Sequence, residues 1–116
     1  MDYEMLLSDA LNSADLGCKS YMDVPDKRPD MFVHCEQVGG ASGELVIRTP
    51  VINVACWAPT RRTAAALADK VESVALSLPD IEPNVSYATV TTRYRDDDID
   101  TGTPRYVVGV RITAQV

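Results

Sequence analysis

The stretch CWAPTRRT (Cys56–Thr63) sets a cysteine and an arginine six positions apart, where an apolar run gives way to an alanine-rich one. That Cys-x5-Arg spacing is the outline of the phosphate-cradling loop used in cysteine-dependent phosphate chemistry. Such a loop needs a thiolate held at low pKa, backbone N–H groups converging on phosphate, and an arginine that closes the cradle. The intervening residues here are Trp57, Ala58, Pro59, Thr60 and Arg61, with no glycine to allow tight curvature and a proline that removes one donor. Ala55, just before the cysteine, offers a thiolate no support. The simpler reading puts Cys56 on one strand face with Ile52 and Val54, as a small core residue. Arg61 and Arg62 then stand in solvent or at an interface. A small cysteine-dependent phosphatase using Cys56 and Arg62 remains the minor alternative, and no catalytic residue is expected.

The other chemistry-bearing residues fare no better. His34 and Cys35 are strand neighbours, so they point to opposite faces and cannot easily clasp one metal ion. The position six after Cys35 is Ala41, so no second phosphate loop exists. GGASG (39–43) lacks the lysine of a nucleotide-binding loop and reads as a hairpin tip, available to a neighbouring subunit. Asp96, Asp97, Asp98 and Asp100 resemble half of a calcium loop. They lack its closing glutamate and flanking helices, and read as a solvated turn. The single histidine lies mid-strand without a nucleophile elbow, and no basic–aromatic stripe points to nucleic acid. Neither cofactor nor metal is expected.

Around these residues the periodicity changes along the chain. Tyr3, Leu6, Leu7, Ala10, Leu11 and Ala14 recur at helical spacing, predicting an amphipathic helix over 2–15 that stops near Gly17. CKSYM (18–22) has the makings of a short strand, and DVPDKRPD following it reads as an exposed loop. The runs 31–38 and 44–57 predict a long hairpin, with Pro50 marking an edge or a bulge because it cannot donate to a ladder. Leu67, Val71, Val74 and Leu78 form a core stripe, Thr60 is a good N-cap and Pro79 lies past the last turn, so a main helix is expected over 60–77. NVSYATVTTRYR (84–95) and the alternating PRYVVGVRITAQV form a second hairpin over 84–116 across an acidic turn. Elements in this order predict an α+β fold, a mainly antiparallel sheet of four to five strands with two helices on one face. One domain over 1–116 accounts for all of it.

The totals agree with that size. A chain of 116 residues can close one core, and 46% apolar with 24% charged residues is ordinary globular composition. With 17 acidic against 11 basic residues the formal charge is −6, which gives no general reason to grip nucleic acid. Three widely spaced cysteines argue against a disulfide framework and for a reducing compartment. The start, MDYEMLLSDALNSADLG, has no basic n-region, and no apolar run approaches the ~20 residues of a membrane span. A cytoplasmic site of synthesis and assembly, without membrane contact, is expected.

Four pieces taken in order carry a family resemblance over about residues 24–116. FVHCEQVGG is a strand ending in a double glycine, and TPVINVACWA a strand closing on Trp-Ala. TRRTAAALADKVESVALSLP is the helix that follows, and DTGTPRYVVGVRITAQV a terminal strand opened by Gly-x-Pro-Arg-Tyr. This set resembles the tail terminator (tail completion) proteins of phages with long non-contractile tails, of the type found in actinobacteriophages. The resemblance implies a non-enzymatic structural protein of the virion, sited at the head-proximal end of the tail. There a ring, usually a hexamer, would cap the tail tube, end its growth and meet the head–tail connector protein. The partners implied are other copies of the chain, the tube protein and the connector, with DNA passing through unbound. Another head–tail joining protein, a head-completion or stopper protein, is the nearest alternative. On this reading Gly39, Gly40, Ser42, Gly43, Arg61, Arg62 and Arg105 are interface candidates. Asp96, Asp97, Asp98 and Asp100 are candidates for an acidic turn facing the lumen, and Trp57 is a structural anchor.

Overall fold

The computed structural model describes residues 2–41 and 47–115. The chain runs α1 (Tyr3–Ser13), β1 (Lys19–Tyr21), β2 (Phe32–Ala41), β3 (Ile47–Trp57), α2 (Arg61–Leu76), a one-turn α3 (Leu78–Ile81), β4 (Val85–Arg95) and β5 (Arg105–Gln115). The strands form one sheet in the order β1-β2-β3-β5-β4. All pairings are antiparallel except that of β1, which lies parallel to β2. The fold is therefore α+β, with a sheet that is mixed only at one edge.

One hydrophobic cluster joins both long helices to a single sheet face. Leu7 and Leu11 of α1 and Leu67, Val71 and Ala75 of α2 meet Val33, Cys35, Ile52, Val54, Cys56, Val108, Val110 and Ile112. Ala64 and Ala68 are fully buried, so the thin alanine face lets α2 lie close to the strands. The helix starts where Thr60 Oγ1 accepts from the Thr63 backbone N–H at 3.1 Å. Pro79 sits in the first turn of α3, where its missing N–H costs nothing. Arg93 ties β4 to α2: its guanidinium donates to Asp69, to Glu72 at 2.6 Å and to the Ala65 carbonyl at 3.0 Å. It also lies 5.4 Å from the centre of the Tyr106 ring.

The three-residue β1 is too short to hold by its ladder alone. Asn12 of α1 supplies the rest, accepting from the Ser20 N–H at 2.8 Å and donating to the Ser20 carbonyl at 3.1 Å. The buried hydroxyls of Ser8 and Ser20 satisfy one another at 2.8 Å.

Pro50 lies in the central strand rather than at an edge, and the sheet accommodates it on both sides. The β3–β5 ladder passes from Arg48↔Ala114 to Val51↔Arg111, skipping Thr49 and Pro50. On the other side the β2 register shifts between Gln37 and Gly39, and Gly40 faces Pro50. Gly39 and Gly40 therefore belong to the strand, not to the hairpin turn, whereas Ser42 and Gly43 lie outside the described residues. The last strand is more buried than simple alternation implies. Val107 and Gly109, on the face away from the helices, are also buried. A methyl group on Gly109 would come within 2.9 Å of Thr91 Oγ1 and 2.7 Å of Thr92 Cγ2, where β4 shifts register.

Candidate functional site

The cysteine loop is built as a structural corner. Cys56 is fully buried on the helix-facing side of β3, and desolvation pushes its thiol far above the ordinary range. A thiol so placed stays protonated at neutral pH and is no nucleophile. The Ala58 N–H donates to the Pro104 carbonyl at 3.3 Å and the Thr63 N–H to the Thr60 cap, so these donors are engaged and do not converge on an anion. Arg61 Nε donates to the Tyr106 hydroxyl at 3.2 Å, while Arg62 is exposed at the start of α2 and, among the described residues, has no ion-pair partner. Cys35 is likewise buried, its thiol raised to about 11 chiefly by desolvation, while Cys18 is half-buried and raised less. Iodoacetamide is therefore expected to modify Cys18 first, and Cys35 and Cys56 only after unfolding. Mass-mapped labelling of the folded chain checks this, and early modification of Cys56 would contradict it.

His34 and Cys35 do point to opposite faces. Cys35 packs in the core, while His34 Nε2 lies 3.1 Å from the Met22 carbonyl. Among the described residues no group of three or more His, Cys, Asp or Glu side chains is placed to hold a metal ion.

The polar organisation of the molecule centres on Trp57. Its indole is 3% exposed and stacks on Phe32 at 5.1 Å between ring centres, while Tyr21 meets Phe32 edge-on at 6.1 Å. Two guanidiniums lie over the Trp57 ring, Arg28 at 4.9 Å and Arg105 at 4.7 Å. Each continues to the acidic turn: Arg28 donates to Asp98 at 3.0 Å and Arg105 to Asp96 at 3.0 Å. Arg95 holds Asp97 at 2.7 Å. Three of the four aspartates are thus partnered, and the fourth, Asp100, has no partner for its carboxylate among the described residues. The backbone adds the Gly102 N–H to the Asp98 carbonyl at 2.7 Å and the Asp98 N–H to the Thr103 carbonyl at 3.0 Å. The turn is a braced structure that leaves Ile99 at its tip 97% exposed.

Hydrogen bonds hold two of these carboxyls below the ordinary carboxylate range, Asp97 mainly through Arg95 and Asp98 mainly through Thr101 and then Arg28. A lowered folded-state pKa contributes stability at pH values above the ordinary range and loses it as pH falls through the depressed value. The turn is therefore expected to loosen in acid below about pH 4, before the core gives way, with only a small global effect because these ion pairs lie at the surface, outside the core. Amide hydrogen exchange at 96–103 followed against pH checks this. Exchange there that tracks the core would contradict it.

Sequence reasoning identified Trp57 and the aspartates separately. Arg105 entered only as an interface candidate, not as a link between them, and Arg28 was missed because the 23–30 loop carries no pattern that says which side chain folds back.

A chain in the virion of a native gene transfer agent particle has the same architecture. The two superpose with a TM-score of 0.65 at 13% identity, over 96% of this chain and 85% of the other. The shared feature is the fold. No family model and no curated protein matches the sequence. A fold alone does not carry an activity, so what the chain does has to be argued from the fold together with the surfaces described above.

Proposed function

We propose that the chain is a structural subunit of a virion, forming a ring at the head-proximal end of a tail, where it caps the tube and meets the connector. The observation that carries this reading is the fold shared, over nearly the whole chain, with a component of a gene transfer agent virion. The ordered sequence features that resemble tail terminators point the same way. The physics is compatible: a small subunit with a long β2–β3 arm at one end and a braced polar turn at the other has distinct surfaces to offer to its copies and to other proteins. Arg62, exposed at the start of α2, and the Gly39–Gly40 stretch of the arm serve as contact surface between copies. Because three guanidiniums offset three of its four carboxylates, the 96–103 turn serves as a surface toward another virion protein rather than as a ring contact or a DNA-repelling lining.

Light scattering of the purified chain, with negative-stain imaging, tests the ring. Closed rings of one stoichiometry support the reading. A chain that is monomeric at high concentration and stays unassembled beside tail tubes would contradict it.

A further inference from the structure

Where Trp57 ends β3, a groove of about 490 Å³ opens between the loop before β2 and the loop before β5. Pro29, Pro59 and Pro104, over the largely buried Phe32 and Trp57, form an apolar wall, and Arg28, Asp30 and the 101–103 segment form a polar one. The cation beside it, Arg28, is already engaged by Asp98 and the indole ring. Of the two charged residues that line it, the one left without a partner is negative. Asp30 lines the groove and is exposed, Asp100 lies one residue before the lining Thr101, and among the described residues neither carboxylate has a partner. Beside the groove the braced turn presents Ile99 to solvent. A stacked indole, three prolines and a turn tied down by three ion pairs together make a preformed surface. It loses little entropy on binding, which is where rigid sites gain affinity.

We propose that this groove docks a segment of a second virion protein, one that carries an apolar side chain next to a lysine or arginine, with Ile99 packing alongside. Charge complementarity selects the occupant. The apolar wall takes the side chain, and Asp30 and Asp100 take the cation. Another copy of this chain is the poorer fit, since each copy carries a net charge of −6 and brings a surplus of acid to an acid-rimmed groove. That the partner belongs to a virion rests on the proposed function.

The test uses full-length chain and two probes in separate arms, purified tail tubes without a terminal ring and the purified connector protein of the same particle. Wild type is compared with Asp30→Lys/Asp100→Lys and with Ile99→Ser, all exposed positions whose replacement leaves the core intact. The expected result is unchanged mass and unfolding midpoint in both variants. Affinity for one probe should fall roughly tenfold or more in the double reversal, and wild-type binding should weaken as salt rises. Equal binding by wild type and both variants overturns the groove proposal and leaves the ring reading standing. Loss of ring assembly in a variant also overturns it, since the groove would then join copies of this chain. A wild-type chain that forms no ring and binds neither probe overturns both readings.

Discussion

Replacing Trp57 with alanine is expected to lower stability by roughly 3–5 kcal/mol, the usual cost of emptying a buried aromatic site. It should also loosen a turn that lies far from it in the sequence. The indole supports Phe32 on one hand and the guanidiniums of Arg28 and Arg105 on the other, and those two arginines hold Asp98 and Asp96. Without the ring both side chains regain rotamer freedom, and the ion pairs they make become ordinary exposed pairs of little worth. Denaturant unfolding measures the first effect, and hydrogen exchange over 96–103 the second. Trp57→Phe separates them. Trp57 Nε1 is buried and has no hydrogen-bond partner among the described residues, so phenylalanine forfeits area and cation–π attraction but no hydrogen bond. Its cost should be well below that of alanine. Equal losses for the two variants, or an unaltered turn in the alanine variant, would contradict this account of the anchor.

Gly40→Val should be about as damaging, for a backbone reason. Gly40 has φ +123°, a region that side chains rarely enter. A Cβ there would lie 2.5 Å from the Thr49 carbonyl oxygen and 2.6 Å from Pro50 Cα. Both obstacles are backbone, so relief requires the β2 and β3 arms to part or slip register. The expected loss is roughly 3 kcal/mol or more. Gly39→Ala is the matched control: nothing lies within 4 Å of a Cβ at that position, and the cost should stay within about 1 kcal/mol. Thermal unfolding of the two variants side by side gives the answer. Similar midpoints would show that the arm tolerates what its geometry forbids.

These two residues also show what a reader of the sequence can and cannot see. Helical spacing in Leu67, Val71 and Val74 and alternation in Val108, Val110 and Ile112 follow from burial on one side, so elements of that kind are legible. Trp57 closes β3 on the opposite face, and its stacking on Phe32 is not visible from periodicity. Pro50 marked an edge or a bulge, and its place in the central strand was hidden, because strand order depends on pairings between distant segments. The parallel β1 was equally hidden. Its stability comes from Asn12, a polar residue on α1 that no periodicity singles out. In the acidic turn, composition displayed four aspartates and suggested free negative charge. The arginines that offset three of them come from position 28, from the end of β4 and from the start of β5, and only folding brings them together. The Cys56–Arg62 spacing misleads in the opposite direction: it looks chemical, yet the strand alternation that buries the thiol was legible from Ile52 and Val54.

The claim that the chain ends a tail is tested most directly by following tube growth. Purified tube protein is polymerised with and without the chain, and tube lengths and tube ends are measured by electron microscopy. The account predicts that substoichiometric chain stops elongation and leaves a ring-shaped density at one end of each tube. Tubes that grow to the same length with bare ends, at chain concentrations equal to those of the tube subunit, would contradict it.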